Sequence, residues 1–179
     1  AIQNNDKAGV MFFTDIIEKF IPPKKGKSHI LRIIRELLAF KPLNNRTDIG
    51  VALEYFSSVI KKRSVCFILS DFIDKDFTRP LQIANKKHDI VAIRIYDKRE
   101  EFLPNIGLIK IVDAENGSSS WLDSSSKKTR LQFSSNYKKK VDTLQKKLIL
   151  CGVDHISINT SKSYIKPLIN FFKQRERRR

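Results

Sequence analysis

The sequence predicts an α/β fold in which a mostly parallel sheet is flanked by helices. Short apolar runs typical of buried strands occur at residues 8–14, 64–70 and 90–96. Amphipathic segments of helical period lie between them. Strands that alternate with helices form parallel sheets that are covered on both faces. The length suits one domain spanning residues 1–179, with a β-hairpin inserted near 106–123.

The first part of the chain begins with two strands and a helix. Residues 8–14 read as a strand buried on both faces, and residues 16–21 as its edge partner, ended by Pro22-Pro23. Ser28 is a candidate cap for a helix that continues to Phe40. The predicted apolar stripe of this helix consists of Ile30, Leu31, Ile34, Leu37 and Leu38.

The middle of the chain continues the alternation. Thr47 or Asp48 is predicted to begin the next helix, and Pro80 falls in the first turn of a short helix, where proline is tolerated. In order, these elements are a helix at 47–60, a buried strand at 64–70, an acid-rich loop at 71–76, a helix at 77–87 and a third buried strand at 90–96.

The last part of the chain starts with a hairpin signal. Asn116-Gly117 between residues 107–113 and 119–122 is typical of a tight β-turn. The remaining predicted elements are a long basic helix from the serines at 124–126 to about Cys151, closed by Gly152, a strand at 153–158 and a helix at 162–174. Pro167 falls inside this last helix and favours a start later than Lys162.

The composition limits the possible classes of protein. The chain is 41% hydrophobic and 30% charged, which is typical of a globular protein. No apolar run approaches the roughly 18 residues of a membrane span, so we expect no span here and a cytoplasmic location. An upstream anchor or signal in the intact protein stays open. Cys66 and Cys151 match no zinc or redox spacing and are expected to be free buried thiols.

The net charge of +16 suggests an acidic partner, an anionic surface or nucleic acid. Most of the lysine and arginine clusters fall at the ends of predicted helices, where cations complement the helix dipole. Solvated helix ends therefore explain the charge at least as well. A nucleic-acid-binding protein that uses the basic helix at 127–147 is retained as an alternative.

Two hard oxygen ligands are predicted to lie at one edge of the sheet. Asp71 follows a buried strand and Thr47 precedes an amphipathic helix, and ligands of parallel sheets bind at the carboxyl ends of strands. Such oxygens suit Mg²⁺ or Mn²⁺. Asp48, Phe72 and Asp74 are expected at the rim as binding residues. Each ligand also has a plainer interpretation, a helix cap for Thr47 and a turn former for Asp71.

The acid-rich loop allows a further alternative, a metal-dependent phosphoesterase. Asp71, Asp74 and Asp76, with Asp15, could form a two-metal centre. No phosphate-binding glycine loop, nucleophile elbow or Cys/His catalytic pair accompanies them. A solvated loop is the favoured interpretation, and we do not predict an enzyme.

Several motifs together resemble a bacterial family, domain-of-unknown-function family fifty-eight, whose core is a von Willebrand factor A-like domain. The similarity covers nearly the whole chain. The matching segments are residues 5–15, residues 21–26, Arg35-Glu36-Leu37-Leu38, Thr47-Asp48-Ile49, Ala52-Leu53-Glu54, Ser70-Asp71-Phe72 and the tail from Tyr164 through Phe171-Phe172.

The resemblance implies a Rossmann-like sheet with a three-part metal-ion-dependent adhesion site. Thr47 resembles the threonine of that site and Asp71 its second aspartate. The first part, an Asp-x-Ser-x-Ser loop, would belong to a central strand and a helix that precede Ala1. The similar residues at 123–126 follow the hairpin and are in the wrong place.

Loss of a central strand would leave two strand edges unpaired. We therefore expect the preceding segment to belong to the intact protein. The alternatives are that another chain fills the gap or that the sheet has re-paired.

The resemblance further implies a non-catalytic protein-interaction module, accessory to a MoxR-type AAA+ ATPase or its client. Mg²⁺ or Mn²⁺ is expected in the intact protein, with weak or no metal binding by this chain alone.

Overall fold

The computed structural model describes residues 6–112 and 117–178, so residues 113–116, which hold most of the predicted hairpin turn, lie outside the described residues. The order of predicted helices and strands is confirmed. The elements are β1 (Ala8–Phe13), β2 (Ile17–Lys24), α1 (Lys27–Ala39), α2 (Ile49–Val59), β3 (Val65–Ser70), α3 (Thr78–Lys87), β4 (Asp89–Tyr96), β5 (Leu108–Val112), β6 (Ser119–Asp123), α4 (Lys127–Leu150), β7 (Asp154–Asn159) and α5 (Ile165–Glu176).

The strands form three sheets. The order β3-β4-β7 makes a parallel sheet, and β1-β2 and β5-β6 are antiparallel pairs. The parallel sheet flanked by helices confirms the α/β prediction, and β5-β6 confirms the inserted hairpin. Strand β4 is central and is buried from Ile90 to Arg94, as predicted for the third strand.

Strands β1 and β3 are less buried than predicted. In β1 only Phe12 is fully buried, and in β3 only Ile68, while Leu69 is 58% exposed. Strand β3 pairs with β4 along one edge, and no second partner strand is found for it among the described residues. An apolar run predicts a strand that is covered on both faces. In β3 the side chains on the face opposite Ile68, those of Val65, Phe67 and Leu69, remain largely exposed.

The prolines do not end β2, which continues through Pro22 and Pro23 to Lys24. The register between β1 and β2 shifts between Ala8 and Val10, so the ladder is irregular where the prolines cannot donate. A Cβ on Gly9 would lie 2.7 Å from the carbonyl oxygen of Ile21 and 2.9 Å from the Pro23 nitrogen. The close approach of the two strands therefore requires glycine at position 9.

The predicted start and apolar stripe of α1 were wrong in part. The cap residue is Gly26, whose φ of 103° favours glycine, and Ser28 lies within the first turn. No residue of α1 is fully buried, and Leu38 is 82% exposed. The last helix begins at Ile165, which agrees with the indication from Pro167 that it starts later than Lys162, and Pro167 lies in its first turn.

One hydrophobic core joins helices α2, α3 and α4 to the same face of β3 and β4. Its buried members include Ile49, Leu53, Ile68, Phe72, Phe77, Leu81, Ile90, Ala92 and Leu148. The core therefore places the first turn of α2 and the loop after β3 side by side.

Cys66 and Cys151 are free thiols, as predicted, but only Cys151 is fully buried, and Cys66 is partly buried. Burial raises the pKa of Cys66 to about 12 and also raises that of Cys151. Both thiols are therefore protonated and poorly nucleophilic at neutral pH. Within the described ranges, none of the helices has the length and apolar character needed to cross a membrane.

Candidate functional site

The start of α2 is fixed against the end of β1. Asp48 is the cap residue, and its Oδ1 accepts a hydrogen bond of 2.9 Å from the backbone N–H of Val51. The backbone N–H of Asp48 donates to the carbonyl oxygen of Thr14, also at 2.9 Å. Of the two residues predicted to begin the helix, Asp48 is therefore the N-cap. Thr47 lies immediately before it.

The loop after β3 is attached to the same helix end. Asp74 Oδ2 accepts a hydrogen bond of 2.6 Å from the backbone N–H of Ile49, the first residue of α2. Asp71 begins this loop, and its Oδ1 accepts from the backbone N–H of Ile73 at 3.1 Å. The segments that carry Thr47 and Asp71 are thus joined by a direct contact.

Phe72 adopts a φ of 60°, which is uncommon for a residue with a side chain. Its ring is buried in the core beside Phe77, with the ring centroids 6.0 Å apart. The side chain of Phe72, predicted at the rim, is therefore part of the core. The left-handed backbone of Phe72 turns the chain sharply between Asp71 and the exposed Ile73.

A pocket of about 580 Å³ lies beside the start of α2. It brings together Thr47 with two of the predicted rim residues, Asp48 and Asp74. Asp71 is not among the residues that line it. The lining consists of Asp15, Arg46, Thr47, Asp48, Ile73, Asp74 and Lys75.

Sequence reasoning missed the two basic residues of this pocket, Arg46 and Lys75. Lys75 Nζ lies 2.6 Å from Asp48 Oδ2. The pKa of Lys75 is raised, first by its hydrogen bond to Asp48, then by the charges of Asp48, Asp74 and Asp15. The position of Lys75 within an acid-rich loop was the available signal.

The carboxylate of Asp48 is ionised in this setting. Burial would raise the pKa of Asp48, but the hydrogen bonds from Lys75 and from the backbone of Val51 and Gly50 lower it on balance. The Asp48 charge is therefore balanced by the Lys75 ammonium and by the positive end of α2.

Asp76 belongs to a different network. It accepts hydrogen bonds from Thr78 and forms a 3.0 Å ion pair with Lys147, and these contacts lower its pKa to about 2. Over residues 6–112 and 117–178, no three His, Cys, Asp or Glu side chains are grouped closely enough to hold a metal ion. The two-metal centre of Asp71, Asp74 and Asp76, considered as an alternative, is therefore not formed by these residues.

The donor chemistry nevertheless suits a single Mg²⁺ or Mn²⁺. A threonine hydroxyl and a carboxylate are hard oxygen ligands, and Mg²⁺ keeps several waters when it has few protein ligands. Of Thr47 and Asp71, the two residues predicted from the sequence as ligands of such an ion, only Thr47 lines this pocket. When bound, the ion would supply a positive charge with exchangeable positions for an anionic group.

The basic helix predicted at 127–147 is formed as part of α4. Its lysines are mostly exposed, whereas Lys147 contacts Asp76 and lies 4.8 Å from the centre of the Phe77 ring. The exposed lysines of α4 are Lys127, Lys128, Lys138, Lys139, Lys140 and Lys146.

Residues 1–143 match a protein family described as "Protein of unknown function DUF58". Uncharacterized proteins from Mycobacterium bovis and Mycobacterium tuberculosis are 24% identical over 162 residues, which cover 88% of this chain and 50% of theirs. The chain thus spans about half the length of these relatives. An uncharacterized protein from Mycobacterium avium is 24% identical over 160 residues, 94% of its length.

Two solved structures share the fold. The conserved hypothetical protein BatB from Bacteroides thetaiotaomicron has a TM-score of 0.50 and 12% identity, over 95% of this chain and 79% of that one. An aerotolerance-related membrane protein from Bacteroides fragilis NCTC 9343, with multiple mutations to serines, has a TM-score of 0.54 and 14% identity, over 94% and 80%.

Proposed function

The chain belongs to the DUF58 family of proteins of unknown function, and from this membership we propose that it is a non-catalytic protein-interaction module of the von Willebrand factor A type. Its partial metal-ion-dependent adhesion site would consist of Thr47 and Asp71. The observation that carries the proposal is the hydrogen bond between Asp74 and the backbone of Ile49. This bond joins the loop that begins at Asp71 to the helix that Thr47 precedes.

A site of this kind binds rather than catalyses. A hydroxyl, one carboxylate and waters leave a divalent ion with net positive charge. An acidic side chain of a partner protein can then replace a water and complete the coordination shell. The site would therefore select an acidic partner, because a neutral side chain would leave the positive charge of the ion uncompensated.

The open strand edges support a third component of the site. Strand β1 pairs with β2, β3 pairs with β4, and no hydrogen-bonded ladder joins β1 to β3 among the described residues. Both strands approach α2, since Thr14 at the end of β1 bonds to Asp48 and Ile68 of β3 shares the core with Ile49. We propose that a further strand, followed by the Asp-x-Ser-x-Ser loop, lies between β1 and β3.

Family resemblance suggests the class of partner. We propose a MoxR-type AAA+ ATPase or one of its clients as the protein bound at this site. The acidic group required by the site is the feature by which such a partner would be recognised.

Titration calorimetry with Mg²⁺ and Mn²⁺ tests the site. The chain alone should bind weakly or not at all, and the chain joined to an upstream strand and Asp-x-Ser-x-Ser loop should bind more tightly. Equal and tight binding by the chain alone would contradict the proposal. In the extended protein Asp71→Asn should abolish binding, while Asp142→Asn on the exposed face of α4 changes the net charge equally and should not.

The exposed lysines of α4 favour a second candidate, nucleic-acid binding. A titration of duplex and single-stranded nucleic acid at several salt concentrations distinguishes the two. Submicromolar binding at physiological salt with a steep salt dependence would favour this candidate. Weak binding without such dependence would leave the basic residues as solvated helix surface.

A further inference from the structure

The pocket beside Thr47 contains a cation supplied by the protein itself. The Lys75 ammonium is 2.6 Å from the Asp48 carboxylate, and the negative charges of Asp74 and Asp15 also act on it. Lys75 and Thr47 line the same pocket, so this ammonium shares the pocket with a proposed metal ligand. A divalent ion near Thr47 would meet a positive charge that is already paired with the Asp48 carboxylate.

Only one of the two partners in this ion pair has a fixed position. Asp48 is a fixed partner, since its side chain is 10% exposed and caps α2. The side chain of Lys75 is 72% exposed and extends from a loop. Lysine stems are flexible, so this ammonium can leave the pocket for solvent without a change in the backbone.

The Lys75 ammonium and a divalent metal ion are both positively charged, but they bind carboxylates in different ways. Both are attracted to hard carboxylate oxygens, but an ammonium donates hydrogen bonds and needs no coordination shell. Repulsion between an ammonium and a divalent ion is significant at the separations found within one small pocket. Binding of the ion therefore requires displacement of Lys75 or takes place against its charge.

We propose that Lys75 is a tethered cation that competes with a divalent metal ion for the Thr47 pocket and so lowers the affinity of the site. The proposal rests on the proposed function, because it concerns the same site. An acidic partner that attracts the Lys75 ammonium away from Asp48 would free the pocket for the ion. Metal binding and partner binding would then be coupled through one side chain.

Binding of Mn²⁺ to the chain, measured by electron paramagnetic resonance of the unbound ion, tests this competition. Lys75→Met removes the charge and keeps the length of the side chain, and it should tighten Mn²⁺ binding about tenfold or more. Lys75→Arg should resemble the wild type. Lys86→Met, on the exposed end of α3, is the matched control for net charge and should have no effect. Circular dichroism confirms that each variant is folded.

Combining Lys75→Met with Thr47→Ala tests whether the competition takes place at the proposed metal site. If Lys75→Met tightens binding and Thr47→Ala removes the gain, both proposals are supported. If the gain persists with Thr47→Ala and Asp71→Asn, Lys75 competes at other carboxylates and the proposed Thr47–Asp71 site is overturned. If Lys75→Met equals the wild type while Thr47→Ala still weakens binding, the competition is overturned and the site stands. Absence of Mn²⁺ binding in every variant at millimolar concentration overturns the competition.

Discussion

Asp74 accepts a hydrogen bond of 2.6 Å from the backbone N–H of Ile49, so a carboxylate from the loop after β3 caps the first turn of α2. The helix thus has two acidic partners at its positive end, Asp48 at its own N-cap position and Asp74 from the loop after β3. The geometry of the loop that begins at Asp71 depends on this second cap.

Asp74→Ala should destabilise the protein by about 1–3 kcal/mol, because it removes a charged acceptor from a helix terminus and leaves an N–H of α2 unpaired. The same substitution should loosen the loop at 71–76, seen as faster amide hydrogen exchange there than in β4. Urea unfolding gives the change in stability. Asp142→Ala, at an exposed position of α4, is the control. Equal unfolding midpoints for the two variants would show that the cap contributes nothing.

The alternation of strands and helices was predictable because each element has a strong local signal. A continuous apolar run predicted β4, and Thr47-Asp48 ahead of an amphipathic segment predicted the start of α2. The juxtaposition of Thr47 and the loop at 71–76 followed only from the general rule on carboxyl ends of parallel strands. Neither the local signals nor this rule shows which carboxylate oxygen of which acidic residue contacts the start of α2.

Burial was harder to predict than secondary structure. The apolar runs of β3 and β4 read alike, yet β4 lies between two partner strands and β3 has one among the described residues. Similar apolar runs therefore occur both in a strand with two partner strands and in a strand with one, so residue type alone does not predict burial. Lys75 was missed for another reason. The acid-rich loop around Lys75 is a local signal, but it does not identify Asp48, 27 positions away in the sequence, as the partner of Lys75.

Arg175 joins the first residues of two neighbouring strands to α5. Its Nε donates to Asp154 at the start of β7 at 2.6 Å, and its Nη2 donates to Asp89 at the start of β4. All three side chains are mostly buried. Arg175→Met should destabilise the protein by about 3 kcal/mol, since it leaves two carboxylates without this shared cation.

Arg178 provides the matched control for Arg175. It is 73% exposed and lies 3.6 Å from the same Asp154. Arg178→Met should change the free energy of unfolding by less than about 1 kcal/mol, as is usual for exposed ion pairs. Urea denaturation of both variants distinguishes them. A loss at Arg175 no larger than that at Arg178 would mean that the contact with Asp89 has no net effect on stability.

His88 is a buried imidazole without a hydrogen-bond partner for either ring nitrogen among the described residues. Its ring is 2% exposed and packs against Phe56, with the ring centroids 4.6 Å apart. Burial, and then the charge of Lys87, lowers the pKa of His88 below its ordinary value of 6.5. The folded protein therefore accepts a proton at this site less readily than the unfolded chain.

The direction of the pH dependence follows from that difference. Above pH 6.5 both states hold a neutral His88 and stability is unaffected. As the pH falls below 6.5 the unfolded state gains a proton first, so the free energy of unfolding decreases until the folded state is protonated too. The depressed carboxyl pKa values of Asp48, Asp76 and Glu36 reduce stability mainly at lower pH, so a variant that lacks the imidazole separates its contribution between pH 7 and pH 5 from theirs.

His88→Leu should flatten this decline, because leucine fills a similar volume and does not titrate. Urea unfolding of both proteins at pH 7 and pH 5 measures it, and the wild type should lose more stability between the two values than the variant. Comparison of slopes, rather than of absolute stabilities, removes any cost of repacking against Phe56. An identical loss in the two proteins would assign the acid sensitivity to other groups and show that protonation of His88 is not coupled to folding between pH 7 and pH 5.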